Sequence, residues 1–299
     1  MILSSILDRI GNTPLVKIRE LVKELPQSVA IYAKLEYFNP GGSVKDRAAF
    51  WMVRAGIKSG KLTPDKIIMD PTSGNTGVAY AMVGAAYGYK VELVMPGNAS
   101  QQRKEMAKAF GADITFSSPL EGSDGAIRMA RKLLEENPGK YFMPDQYNNP
   151  GNPEAHYQTT GAEIWEQTAG KVTHFVATMG TSGTAMGVTR RLKEFRSDIH
   201  CVGVQPASAL HGLEGLKHMP TSIVPGIYHE EILDEVMGIE TEESYDLADR
   251  LGKEEGLLVG YSSGGAMLAC LNVARRLKKG VIVTIFPDHG DRYFEGMRW

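Results

Sequence analysis

Residues 29–55 read VAIYAKLEYFNPGGSVKDRAAFWMVRA. Val29 to Leu35 alternates apolar residues as a strand does, Asn39-Pro40-Gly41-Gly42-Ser43 is turn chemistry, and Asp46 to Ala55 reads as a helix. Strand, glycine turn and helix then recur along the chain, which is the pattern of an α/β fold. The turn also delivers Lys45 to the start of its helix. A cation is disfavoured at that positive end, and a lysine kept from water has a lowered pKa and becomes the free amine that attacks carbonyls. A lone lysine in a helical first turn is ordinarily a solvated surface residue. The weight of the reading therefore rests on two glycine-rich loops further along.

The recurrence runs as follows. Leu15 to Ile18 is a short apolar run, Ile67 to Asp70 a strand, Pro71 to Gly77 a loop and Val78 to Ala86 a small-residue helix. Val91 to Met95 is a strand, Ser100 to Phe110 a helix stopped by Gly111, Ile114 to Phe116 a strand, and Asp124 to Glu136 a helix. After Tyr141 to Met143, the Asn-, Pro- and Gly-rich stretch Asp145 to Pro153 reads as a crossing between two halves. A helix over Glu154 to Thr168, a strand over Thr173 to Thr178, a helix over Ala185 to Phe195 and a strand over Cys201 to Gln205 come next. Pro206 to Val236 is long and irregular, which in compact domains marks a functional or mobile segment. Val281 to Phe286 is the kind of continuous apolar, β-branched run that is buried on both faces.

At 299 residues the chain has room for two domains, and 42% hydrophobic with 23% charged residues is ordinary globular composition. A net charge of -2 gives no reason to expect nucleic acid or an anionic membrane as partner. Cys201 and Cys270 stand far apart outside any CxxC pattern, and the histidines show no HxxxH or HExxH spacing, so no metal is expected. Asp8 and Arg9 interrupt the N-terminal apolar stretch before a signal-peptide core forms, and no run approaches the roughly 20 apolar residues of a membrane span. A cytoplasmic location is the expectation.

The first chemical loop is Thr72-Ser73-Gly74-Asn75-Thr76-Gly77, between a strand and a helix. Capping a helix takes one Ser, Thr or Asn, and this loop has four, so it reads as an anion or carboxylate site on exposed backbone N–H groups. The second is Gly180-Thr181-Ser182-Gly183-Thr184, where glycines admit close backbone approach and three hydroxyls donate. Neither a Walker GxxxxGK[ST] nor a GxGxxG accompanies it, which argues for a phosphate without metal and against a dinucleotide. Two anion sites and a turn-mounted lysine suit a ligand with a phosphate at one end and a carbonyl at the other. Pyridoxal 5'-phosphate fits that description.

With IGNTPL at 10–15, PGGSVKDR at 40–47, TSGNTG at 72–77, GTSGT at 180–184 and SSGG at 262–265, in that order and extending to Gly290-Asp291-Arg292-Tyr293, the chain resembles the cysteine synthases (O-acetylserine sulfhydrylases) of the fold-type II, tryptophan-synthase-β-like family. The resemblance implies two three-layer αβα domains with mostly parallel sheets. It puts residues 36–146 in a smaller, mobile domain with the carboxylate loop, and residues 1–35 plus 147–299 in a larger one with the phosphate loop. It implies Lys45 as the Schiff-base lysine and the base on the substrate Cα, with Asn75 on the ring hydroxyl of the cofactor. Gly180, Thr181, Ser182, Gly183 and Thr184 would hold the phosphate, and Ser262, otherwise read as a helix cap, would meet the pyridine nitrogen. Thr72, Ser73, Gly74, Thr76, Gln146, Gly226 and Lys217 are implied on the substrate side. The implied reaction is β-replacement on O-acetyl-L-serine with sulfide through an α-aminoacrylate, by a homodimer.

Asp145 to Pro150, His156-Tyr157, Ala162 to Trp165 and the ending look like the B-type enzymes. Lys217 and His218 stand where that type tends to carry two arginines; lysine lacks their bidentate fork, so thiosulfate use is in question and an O-phosphoserine donor becomes conceivable. A core-only cystathionine β-synthase, and a non-enzymatic sensor or scaffold that keeps the fold, are the alternatives. Binding of serine acetyltransferase, which A-type enzymes show, is left open.

Overall fold

A computed structural model describes residues 2–72 and 74–294. β1 (Leu15–Lys17) and β2 (Val29–Leu35) lead through the lysine turn to α1 (Lys45–Lys58). β3 (Ile67–Pro71), α2 (Asn75–Tyr87), β4 (Val91–Pro96), α3 (Gln101–Ala109), β5 (Asp113–Ser117), α4 (Gly122–Glu136) and β6 (Tyr141–Phe142) alternate after it. α5 (Gly151–Ala155) passes through a π turn at His156–Thr160 into α6 (Gly161–Gln167). β7 (His174–Thr178), α7 (Gly183–Phe195) and β8 (His200–Pro206) follow, and β9 (Glu235–Ile239), α8 (Thr241–Glu255), α9 (Tyr261–Ala274) and β10 (Gly280–Phe286) complete the order. Among the described residues, no helix is long and apolar enough to cross a membrane.

The chain divides into two compact units, residues 1–10 with 45–151 and residues 11–44 with 152–299. The first holds a four-stranded parallel sheet in the order β5-β4-β3-β6. Period-two alternation sends Ile68, Leu93 and Met95 toward α1, α2 and α3, and Met69 and Val94 toward α4. Three layers result. α2 is apolar nearly all round, and its residues Thr76 to Gly84 are buried without a break.

The second unit holds six strands in the order β1-β2-β10-β7-β8-β9, all parallel except β1 against β2. β10 sits between β2 and β7. Its Ile282 and Phe286 join α8 and α9 in one core, while Val283 and Ile285 join α6 and α7 in the other. The continuous apolar run of β10 thus serves two cores at once, each large side chain contributing roughly 1.5–3 kcal/mol by burial.

Several boundaries differ from the sequence reading. The first ten residues go with the first unit, because Leu7 enters its core. α2 begins at Asn75 and not at Val78; Gly77 lies in its first turn, where an added Cβ would stand 2.7 Å from Thr72 and 2.9 Å from Leu93. Residues 237–280, left unassigned by periodicity, hold most of β9 and the whole of α8 and α9. Twelve of the fourteen residues of α9 are buried, so no stripe of period 3.6 marks it in the sequence.

Candidate active site

The turn that leads to the lysine lies in the second unit and is braced there. Asn39 takes the Gly11 N–H on its Oδ1 at 2.8 Å, and its amide donates to the Glu36 carbonyl at 2.7 Å and to Glu36 Oε2 at 2.8 Å. The Thr13 hydroxyl donates to Glu36 Oε1 at 2.7 Å, so the Gly11–Pro14 motif and the turn share one buried network. Gly42 N–H donates to the Asn39 carbonyl at 2.8 Å, and Val44 N–H to the Pro287 carbonyl at 2.8 Å. Gly42 has φ +81°, and a Cβ there would collide with the Arg292 guanidinium, which donates to the Gly41 carbonyl. Lys45 comes next, half-buried, as the first residue of α1.

The loop between β7 and α7 is held from behind. Ser182 adopts φ 70°, a left-handed conformation that a non-glycine residue keeps only when its surroundings impose it. Asn152 Nδ2 donates to Thr181 Oγ1 at 3.1 Å, and buried His156, on the π turn, lies 3.2 Å from Thr184 Oγ1 and 2.9 Å from Thr160 Oγ1. Gly180 backs so closely onto the Gly215 carbonyl that it tolerates no Cβ, and a Cβ on Gly183 would have to displace the Asn152 carboxamide. The Ser182 hydroxyl is buried and has no hydrogen-bond partner among the described residues. The first intrahelical bond here runs from Met186 N–H to the Ser182 carbonyl at 2.9 Å, so the amides before it point to the open end of the helix.

Elsewhere in this unit, Ser262 lies in the first turn of α9 with Gly260 as the N-cap, which removes the capping explanation for its hydroxyl. Ser262 is buried. Lys217 N–H donates to the Met179 carbonyl at 3.0 Å, which brings the 206–236 segment onto the start of the 180–184 loop. Gly226 lies further along that segment, exposed. His211 is held below the usual histidine range, first by burial and then by neighbouring His218. Cys201 and Cys270 are fully buried, and burial pushes their thiols up to about 11 and about 12.

In the first unit, Thr72 closes β3 through its N–H to the Val94 carbonyl at 3.0 Å and takes the Gly74 N–H on its hydroxyl at 3.2 Å. Ser73 lies outside the described residues. Asn75 opens α2, and the hydroxyl of Thr76, one residue on, donates to Gln146 Oε1 at 2.9 Å. Gln146 Nε2 in turn donates to Asp70 Oδ1 at 3.4 Å. Asp70 is fully buried; desolvation, then the neighbouring Asp145 carboxylate, pushes its pKa well above the usual carboxylate range.

Residues 6–288 match the model of the family described as pyridoxal-phosphate dependent enzyme. The chain belongs to that family. It is 53% identical over 294 residues to a cysteine synthase of Aquifex aeolicus, covering 97% of this chain and 90% of that one. To a cysteine synthase B of Pseudomonas aeruginosa it is 44% identical over 289 residues, covering 97% and 95%. It superposes with a TM-score of 0.93 and 38% identity on an O-acetylserine dependent cystathionine β-synthase from Helicobacter pylori, covering all of both chains.

The residues present suit pyridoxal phosphate. The unmatched Ser182 hydroxyl, the left-handed backbone beneath it and the amides at the open end of α7 are what a phosphate group requires. Sequence reasoning selected this loop but missed the residues that hold it. Asn152 and His156 carry no sequence signal of that role, because only the fold brings residues about thirty positions apart together. Asp70 was likewise passed over as the end of a strand.

Proposed function

We propose that this chain is a cysteine synthase that converts O-acetyl-L-serine and sulfide into L-cysteine and acetate. The observation that carries the reading is the 180–184 loop with its buried, unmatched Ser182 hydroxyl, in a chain of the pyridoxal-phosphate family. The bound cofactor supplies an electron sink for negative charge at the substrate Cα. Lys45 anchors that cofactor, removes the Cα proton as general base and later returns it. Gly180, Thr181, Ser182, Gly183 and Thr184 would hold the phosphate, and Asn75 would meet the ring hydroxyl. Ser262 would meet the pyridine nitrogen, which a serine hydroxyl would not keep protonated. Such a partner would suit loss of acetate from the substrate Cβ and replacement by sulfide at the same carbon over racemisation or transamination. Thr72, Ser73, Gly74, Thr76 and Gln146 bind the amino-acid carboxylate, with Gly226 and Lys217 on the side of the leaving group or sulfur donor. A cytoplasmic homodimer completes the reading.

The likeness to the Helicobacter protein favours a second reading, in which homocysteine replaces sulfide as the acceptor. One experiment separates the two. The visible spectrum of the pyridoxal-loaded protein is followed during addition of O-acetylserine, O-phosphoserine and L-serine in turn, and then of sulfide or homocysteine. Conversion by O-acetylserine with recovery on sulfide is expected. Recovery only on homocysteine moves the assignment to cystathionine synthesis, and a protein without a pyridoxal band overturns both.

A further inference from the structure

Asp70 is the penultimate residue of β3, immediately before Pro71, with its carboxyl group fully buried. A buried carboxyl group needs polar partners, and Asp70 has the Tyr80 side chain and Gln146, whose Nε2 donates to Asp70 Oδ1 at 3.4 Å. Gln146 is buried too, and the backbone aims it inward. Asp145, the residue before it, adopts φ 53°, and its carbonyl takes the N–H groups of Asn148 at 3.1 Å and Asn149 at 2.9 Å. The other end of the carboxamide is also set, since Oε1 accepts the Thr76 hydroxyl at 2.9 Å. A side-chain amide free to turn over presents either oxygen or nitrogen to a ligand; one tied at both atoms presents a single face.

We propose that Asp70 is a positioning residue for amino-acid binding: it accepts a hydrogen bond from Gln146 Nε2 and, together with the Thr76 hydroxyl on Oε1, fixes the direction of the carboxamide read above as a ligand of the substrate carboxylate. The inference rests on the reading of Gln146 as a carboxylate ligand. Asp70 touches no substrate itself. Its influence passes through Gln146, and through the Thr76 hydroxyl that the carboxamide oxygen engages.

The test uses the full chain loaded with pyridoxal phosphate. Asp70→Leu removes the acceptor at similar volume, whereas Asp70→Asn keeps a carbonyl acceptor. For Asp70→Leu, KM for O-acetylserine is expected to rise about tenfold, the loss of one hydrogen bond near a charged ligand, with kcat and the sulfide KM within about twofold. Asp70→Asn is expected to restore KM to within about twofold of the parent. In a Gln146→Ala background Asp70→Leu is expected to add less than about twofold, because its effect has no carrier left. An equal, additive loss in that background, or an Asn variant no better than Leu, overturns the inference. Should Asp70→Leu fail to fold, Asp70→Ala carries the same comparison against Asp70→Asn. A parent that turns over O-acetylserine beside variants that all match it refutes the role of Asp70 alone; a parent inactive on O-acetylserine refutes the proposed function instead.

Discussion

At Gly180 the backbone lies so close to the Gly215 carbonyl that no side chain fits, whereas at Gly74 an added Cβ meets, among the described residues, only Arg103 Nη1 at 4.0 Å. Both glycines sit in loops that leave a parallel strand and enter a helix, and both loops are rich in hydroxyls. They are held by different means. The 180–184 loop is fixed by backbone packing and by a strained Ser182, with Asn152 and His156 bonded behind it. The described part of the 72–77 loop is fixed by a line of side chains, Thr76 to Gln146 to Asp70. The first arrangement suits a permanent ligand, because its geometry is present before anything binds. The second suits a ligand that comes and goes, because hydrogen-bonded side chains readjust at little cost.

The largest test concerns the residue that both loops are proposed to serve. Lys45→Ala is expected to lower turnover by at least on the order of 10³ while the protein still melts cooperatively. Undiminished cysteine synthesis by that variant would remove the lysine from the chemistry. The contrast between the loops is next. Gly180→Ala is expected to destabilise by about 1–3 kcal/mol through overpacking and to weaken pyridoxal phosphate binding. Gly74→Ala should leave the melting curve within about 0.5 kcal/mol while raising KM for O-acetylserine. Matching melting losses in the two variants would erase the distinction. Lys217→Ala is expected to weaken thiosulfate or O-phosphoserine use by about tenfold and to spare O-acetylserine with sulfide; equal loss with every substrate would make Lys217 structural.

The smallest effect is a pH dependence. Unfolded, Asp70 titrates near 3.8; folded, its pKa is well above that, because burial and Asp145 oppose its charge. Above about pH 4 the folded chain therefore holds a proton that the unfolded chain has lost, and stability falls as pH rises through that window. Asp70→Asn removes the penalty, so its melting temperature relative to the parent should climb between acid and neutral pH. A constant offset across that range would mean that Asp70 titrates normally.

The alternation of strand and helix was open to reading because parallel strands buried on both faces are continuous apolar runs, as in β10. The two loops were legible for a related reason: glycine and hydroxyl clusters between such runs have few structural uses. What escaped was everything fixed by distance in space. α9 is ringed by other elements and so has no polar face to give it a period. Asp70 looks like any acid at a strand end until β3 and Gln146 are seen to enclose it. The helix α2 starts three residues earlier than its pattern suggests, because the close fit of Gly77 against Leu93 can be seen only in three dimensions.

The two cysteines bear on the product. Each is sealed in the second unit with its thiol pushed up to about 11 or about 12, so at neutral pH almost no thiolate forms and none meets solvent. A protein proposed to release a thiol works near a species whose oxidised, disulfide form exchanges with exposed cysteine thiolates. With both of its thiols buried, the folded chain offers no thiolate to the disulfide form of its product, which guards it against mixed disulfide formation.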